Sequence, residues 1–162
     1  MSARVLVAGI GNVFNGDDGF GVAVARRLVQ EAKLPPSVVV RDVGIRGLHL
    51  AYELLDPWDM LIVIDAVARG GPPGTLHLIE PSTNLADVTR AHDVHGMDLR
   101  SILLMAGALG AATPMVRLVG CDVADVSEKM GMTAEVEAAI PEAVRMIEAL
   151  VRQAMKGAKV AV

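Results

Sequence analysis

The chain has 162 residues, of which 52% are apolar and only 2% are aromatic, so a single domain with an aliphatic core is expected over residues 1–162. The net charge of −4 and the lack of a basic tract argue against nucleic acid and membrane surfaces as partners. The single cysteine, Cys121, excludes an internal disulfide and a cysteine-cluster metal site. No signal core or apolar stretch of about 18 residues is present, so we expect a cytoplasmic protein.

Short β-like runs alternate with longer helical patterns along the chain, which predicts an α/β fold. Proline at residues 35 and 36 ends the first helical pattern, and the next apolar run is β-branched and unbroken. Strands are predicted over residues 4–8, 38–42, 60–64, 75–79 and 115–120, and helices over residues 18–33, 48–55, 97–109 and 133–155.

Three segments of this pattern are less regular. The fourth strand alternates between apolar and polar residues, which predicts an edge strand, antiparallel to strand three. Residues 81–94 form a long polar loop of the kind that is usually functional or mobile. Thr133, with a following glutamate, is expected to cap the last helix. Pro141 is expected to kink that helix or to mark its real start, and residues 157–162 are expected to fray.

A glycine-rich stretch between residues 9 and 21 joins the first strand to the first helix. In an open parallel sheet such a junction lies at the carboxyl ends of the strands, where ligands bind. A dinucleotide-binding loop needs glycine at the position of Phe14 and bare N–H groups at the helix start, where Asp17 and Asp18 stand instead. Nucleotide binding therefore remains as the less favoured alternative.

The adjacent acids Asp17 and Asp18 have a structural and a functional interpretation. Acids in the first turn of a helix complement its dipole and cap free N–H groups, for about 0.3–1 kcal/mol each, and this role suits Asp17. The flanking Gly16 and Gly19 leave a carboxylate accessible to a large or charged ligand. We therefore expect one of the two acids to be functional.

Asp65 follows an unbroken apolar run and emerges at the carboxyl edge of the predicted sheet. A charge buried there is costly unless it is paired or bound to a metal, although capping of the next loop's amides is an equally good explanation. Strands one and three are commonly close neighbours in such sheets. Asp18 and Asp65 are therefore expected to converge.

A histidine supplies a third candidate ligand. His95 lies at the entry to the helix that follows the long loop, and His92 competes with it three residues earlier. His49, in a short helix, and His77, on the polar face of an edge strand, are weaker candidates. Two carboxylates and one imidazole form a ligand set that suits nickel or zinc and leaves coordination positions open.

Conventional hydrolase nucleophiles are missing from the sequence. The Gly-x-Ser-x-Gly elbow does not occur. Cys121 follows the fifth strand and, with a histidine, would serve a cysteine mechanism. Its simpler interpretation is a small buried apolar residue.

Taken together, the segments that hold these residues resemble the hydrogenase maturation proteases. These are nickel-dependent endopeptidases that process the large subunit of nickel–iron hydrogenases. The resemblance spans nearly the whole chain, and its first motif is specific in combination with Asp65 and His95. The matching segments are residues 9–12 with 16–21, 42–47, 64–66, His95, and 119–120 with 131–136.

The resemblance implies a three-layer α/β/α fold with a twisted, mainly parallel five-stranded sheet and one antiparallel edge strand. The family's metal ligands match Asp18, Asp65 and His95, and the two aspartates are the implied catalytic residues. The residues implied in substrate recognition are Gly44, Ile45, Arg46, Gly47 and Asn12. The family often has a proline after Gly120, whereas this chain has Cys121-Asp122, which bears on the shape of that loop.

The predicted function is removal of the C-terminal extension of a nickel–iron hydrogenase large-subunit precursor after nickel insertion. The nickel belongs to the substrate and acts as the recognition mark, and zinc or cadmium would be able to replace it in a crystal. The chain is expected to act as a monomer on this partner. Two alternatives stay open: a nucleotide-binding α/β enzyme and a non-catalytic nickel-binding maturation chaperone.

Overall fold

The computed structural model describes residues 2–80 and 98–160. Within these residues five strands form one sheet with the order β2-β1-β3-β5-β4. The strands are β1 (Val5–Ile10), β2 (Val38–Gly44), β3 (Met60–Val67), β4 (Leu76–Ile79) and β5 (Met115–Asp122). The helices are α1 (Phe20–Glu31), α2 (Gly47–Glu53), α3 (Leu99–Ala108), α4 (Ala134–Ala138) and α5 (Ile140–Val160), and a 3-10 turn, Gly16–Gly19, precedes α1.

The two central strands explain why the sheet is covered on both faces. Every residue of β1 and β3 is buried, and successive side chains point to opposite sides. Val5 and Val7 pack into the core formed with α1 and α5, whereas Leu6 and Ala8 pack into the core formed with α2 and α3. The predicted three-layer α/β/α fold is therefore confirmed.

The position of β4 corrects one prediction. The strand is an antiparallel edge strand, as expected, but it pairs with β5 and not with strand three. Both sides of β3 are already occupied, because β1 pairs with it from Met60 to Ile64 on one side and β5 pairs with its whole length on the other. The turn after β3 therefore crosses β5, where the Gly74 N–H donates to the Asp122 carbonyl oxygen at 2.8 Å.

Several element boundaries differ from those predicted. β1, β2, β3 and β5 all run two or more residues further toward the carboxyl edge, and α1 begins only at Phe20, after the 3-10 turn. Pro141 marks the real start of the last long helix, because it lies in the first turn of α5, where its fixed φ and missing N–H are tolerated. α5 continues to Val160, past the predicted end at Met155. None of the helices in the described parts of the chain combines the length and apolarity needed to cross a bilayer.

Close packing of α1 on the sheet depends on Gly21. A side chain at this position would overlap with the carbonyl oxygens of Ile10 and Ile64, which belong to β1 and β3. The start of α1 is therefore pressed against the carboxyl ends of the two central strands. This contact holds the segment that contains Asp18 next to the segment that contains Asp65.

Substitution of Gly21 by alanine tests this contact. We expect the free energy of unfolding to fall by about 2 kcal/mol or more, because the backbone atoms that surround the added methyl group cannot move aside easily. Gly157→Ala is the matched control in a helix, since a methyl group there meets no atom within 4 Å, and it should raise the stability by about 0.5–1 kcal/mol. Urea unfolding measures both values. Equal stability of the two variants would contradict the packing described.

Candidate functional site

The candidate site lies at the carboxyl edge of the parallel strands. The loop after β1 and the loop after β2 are joined there by a hydrogen bond from the Gly11 N–H to the Gly44 carbonyl oxygen, 3.0 Å long. The 3-10 turn that holds Asp18 packs against β3, which holds Asp65. The structure thus brings the two predicted acidic residues to the same edge of the sheet.

Both acidic side chains are buried and held by backbone N–H groups. Asp18 is 1% exposed, and its Oδ2 accepts a hydrogen bond from the Asn12 N–H at 2.9 Å. Asp65 is 4% exposed, and its Oδ1 accepts from the Ala66 N–H at 2.9 Å. Asp65 therefore caps a following amide, as its structural interpretation predicts, although β3 continues for two more residues beyond it.

Asp17 has a different role from its neighbour. Its carboxylate accepts hydrogen bonds from the N–H groups of Ala124, Asp125 and Thr133, at 2.7–3.0 Å, and from the Thr133 hydroxyl. Burial raises its pKa, but these hydrogen bonds outweigh that effect and leave the pKa below its ordinary value. Asp17 is structural, as expected, but it secures the loop between β5 and α4.

Thr133 is correspondingly not the cap that its sequence position predicts. It occupies the N-cap position of α4, yet its side chain makes no capping hydrogen bond. The hydroxyl instead donates to Asp17, 116 residues away in sequence.

Most backbone N–H groups of the glycine-rich loop are already engaged within the protein. Those of Gly11, Asn12 and Phe14 donate to the Gly44 carbonyl, the Asp18 carboxylate and the Asn12 side-chain carbonyl. Those of residues 15–18 donate to the carbonyl oxygens of residues 12, 129, 125 and 15 in turn. A helix start whose donors are engaged in this way lacks the bare N–H groups on which nucleotide phosphates bind. The geometry therefore disfavours the nucleotide-binding alternative.

The residues predicted to recognise the substrate lie around the same edge. Gly44 has a φ of +59°, which lets the chain turn sharply out of β2, and Ile45 is exposed directly after it. Arg46 folds back, and its guanidinium donates to the carbonyl oxygens of Asp42 and Val43. Asn12 shapes the neighbouring loop through its side-chain carbonyl.

Cys121 is unsuited to nucleophilic attack. Its side chain is buried in the core with α1 and α5. Burial, followed by the negative charges of Asp122 and Asp17, raises the pKa of the thiol to about 12. Because the thiolate is the reactive form, the interpretation of Cys121 as a small buried residue is the one that the structure favours.

Sequence reasoning missed a histidine–aspartate pair at the same end of the sheet. His77 Nε2 lies 2.6 Å from Asp122 Oδ2, and the other carboxylate oxygen accepts from the Arg69 N–H at 2.8 Å. Burial raises the pKa of Asp122, but the hydrogen bonds from His77 and from Arg69 hold it below its ordinary value. The pair fastens the turn after β3 to the end of β5. The pair was missed because strand five was predicted to end at residue 120, two residues before Asp122.

His95, the third predicted ligand, and its competitor His92 lie outside the described residues. Among residues 2–80 and 98–160, no group of three or more His, Cys, Asp or Glu side chains is placed to hold a metal ion. Asp18 and Asp65 are thus the two predicted ligands whose positions are known.

The fold and the site define an α/β protein whose ligand-binding edge presents buried carboxylates in place of a phosphate loop. The model of a family described as hydrogenase maturation protease matches residues 22–150. A hydrogenase expression/formation protein, HupD of Rhodobacter capsulatus, is 32% identical over 97% of this chain and 77% of its own length. The hydrogenase 2 maturation protease of Escherichia coli strain K12 is 30% identical over 93% of this chain and 92% of its own.

A solved structure gives the same result. The hydrogenase maturating endopeptidase HybD from E. coli superimposes with a TM-score of 0.82 over 93% of each chain, at 29% identity. The chain belongs to the hydrogenase maturation protease family. It is accordingly an endopeptidase of hydrogenase maturation.

Asp17→Asn should destabilise the protein and should do so in a pH-dependent way. The pKa of Asp17 is lowered in the folded state, so its contribution is complete above the unfolded-state value of about 3.9 and is lost as the pH falls through the folded-state value. We expect the variant to lose about 3 kcal/mol at pH 7, because buried donors lose a charged acceptor, and less below pH 4.

Urea unfolding at the two pH values measures this loss. Asp56→Asn, at an exposed carboxylate, is the control and should change little. A loss at Asp17 that stays constant with pH would contradict the role of its charge.

Cys121→Ala should leave proteolysis unchanged, and the native thiol should not react with iodoacetamide at neutral pH. The expectation follows from the burial and the raised pKa of the thiol. Mass spectrometry before and after unfolding measures the labelling. Rapid labelling of the folded protein, with loss of activity, would restore the cysteine mechanism.

Proposed function

We propose that this endopeptidase removes the C-terminal extension of a nickel–iron hydrogenase large-subunit precursor, and that it does so after nickel has been inserted. The observation that supports the proposal is the presence of Asp18 and Asp65, both buried, at the carboxyl edge of the sheet. Membership of the family supports the precursor as the partner. The location is expected to be cytoplasmic.

Asp18, Asp65 and His95 are proposed to reach the nickel ion that the precursor holds. Carboxylate oxygens and an imidazole nitrogen suit this borderline metal, and a set of three leaves positions for the ligands that the precursor supplies. The metal is therefore part of the substrate and not a resident cofactor of the protease. Zinc or cadmium would be expected to occupy the same place in a crystal.

The two carboxylates are also the proposed hydrolytic residues, which makes the enzyme aspartic in type. Each is fixed by a backbone N–H, Asp18 by that of Asn12 and Asp65 by that of Ala66, so neither has to be ordered when the substrate binds. A carboxylate held in this way can accept a proton from the attacking water and return it to the leaving amine. Because the surroundings of buried groups have a low dielectric constant, electrostatic interactions between the carboxylates and the reacting groups are stronger there than in water.

Recognition of nickel provides a check that the precursor is complete. A substrate without the metal offers these side chains no preferred ligand, so its scissile bond is not held in the reactive position. Cleavage of the extension would then follow insertion of the metal and never precede it. The selectivity resides in the difference in affinity between the two forms of the precursor.

Substitution of Asp18 and Asp65 by asparagine, and of His95 by alanine, tests this proposal. Each variant is incubated with nickel-loaded and with nickel-free precursor, and the mass of the product is determined. We expect the wild-type protein to shorten only the loaded form. The variants are expected to lose at least 100-fold in rate, as is typical for removal of a positioned acid–base group.

Asp56→Asn, at an exposed carboxylate, is the matched control and should keep full activity. Full processing by the Asp18 and His95 variants would remove these residues from the site. Cleavage of the nickel-free precursor at the same rate would remove nickel as the recognition mark. Tight binding of nickel by the protein alone, with no shortening of the precursor, would instead support the chaperone alternative.

A further inference from the structure

Three large apolar side chains are exposed around the candidate site. Phe14, Ile45 and Met130 are 65%, 53% and 67% exposed, and each stands on a different loop. The chain has only two phenylalanines, and the other one, Phe20, is fully buried. An aromatic side chain left in water beside the candidate site therefore needs its own explanation.

The loops that present these side chains are bonded to one another. Asn15 forms a β-bridge with Lys129, and the Gly16 N–H donates to the Lys129 carbonyl oxygen at 2.8 Å. These bonds hold the loop that carries Phe14 against the loop that carries Met130. The Gly11 N–H donates to the Gly44 carbonyl oxygen, which joins the loop of Phe14 to that of Ile45.

The loop that carries Met130 is fixed at both ends by Asp17. The Asp17 carboxylate accepts from the N–H groups of residues 124 and 125 at one end and from the Thr133 N–H at the other. Within the loop, the Lys129 ammonium lies 2.8 Å from Asp125 Oδ2. The three exposed side chains therefore stand on backbone that is already ordered. Ordered apolar groups bind a partner without a large further loss of conformational entropy.

We infer that Phe14, Ile45 and Met130 form an apolar collar that binds apolar side chains of the precursor polypeptide next to the scissile bond. The inference rests on the proposed function, because the loop of Phe14 also supplies the Asn12 N–H that binds Asp18. The three loops lie at the carboxyl edge that holds Asp18 and Asp65, so a polypeptide bound at that edge would meet the collar beside the proposed catalytic residues. The collar thus determines which sequence is cleaved, whereas the acids determine that cleavage occurs.

The test compares steady-state processing of the nickel-loaded precursor by Phe14→Ala, Ile45→Ala and Met130→Ala. Removal of each side chain should raise KM about tenfold and leave kcat within about twofold, since the contact is made equally in the ground and transition states. Phe14→Leu should recover most of the affinity. The melting temperatures should match that of the wild-type protein, because the side chains are exposed.

Val29→Ala is the matched control, because Val29 is 68% exposed on α1 and belongs to none of these loops. Unchanged KM in the three variants, or an equal rise in the control, would overturn the inference. A change in self-association seen by sedimentation, with unchanged KM, would overturn it in favour of contacts between copies of the chain. If the wild-type protein fails to cleave the precursor, the proposed function fails, and direct binding of the precursor to the wild-type and Phe14→Ala proteins still tests the collar.

Discussion

The cost of burying charge at one edge of the sheet governs the organisation of this protein. The buried polar side chains within the described residues are Asn15, Asp17, Asp18, Asp65 and Asp122, and all of them lie at the carboxyl edge of the parallel strands. A carboxylate removed from water is tolerated only where donors or cations replace its hydration. The loops at this edge therefore fold so that their N–H groups point at the acids. Among the described residues, no buried charged side chain lies at the amino edge of the sheet.

The four buried carboxylates divide into two kinds. Asp17 and Asp122 bind segments that are more than 40 residues away in sequence, the first at the loop between β5 and α4 and the second at the turn after β3. Asp18 and Asp65 bind N–H groups within six residues of themselves, so these bonds are local to the loop after β1 and to the end of β3. The first pair assembles the edge from distant parts of the chain. The second pair consists of the residues proposed to carry the chemistry.

Much of the fold was predictable because its signals are local. The apolar runs of β1 and β3 and the prolines that end or begin helices depend on neighbouring residues, and their interpretation was correct. The pairing of β4 was not predictable in the same way. Its partner is decided by which strand fills the other side of β3, and that strand, β5, comes much later in the sequence. Strand order is a property of the whole sheet.

Dependence on distant segments also limits what can be predicted for single residues of the site. The positions of Asp18 and Asp65 followed from strand ends, which the sequence reveals, whereas the pair formed by His77 and Asp122 needs the antiparallel pairing of β4. Thr133 was expected to cap its own helix, and nothing nearby in the sequence indicates that its hydroxyl donates to Asp17 instead. Local rules predict which side chains form hydrogen bonds near helix and strand ends. Contacts between distant segments decide which partner each of these side chains binds.

The adjacent residues Asp17 and Asp18 illustrate why neighbouring acids need not share a role. In a 3-10 turn successive side chains are separated by about 120° around the axis, so two carboxylates in a row point in different directions. One direction leads to the loop that holds Thr133, and the other leads back to Asn12. The Asp17 carboxylate thus holds the loop that presents the exposed side chain of Met130 near Asp18. A charge with no access to substrate thereby shapes the surface on which the substrate would bind.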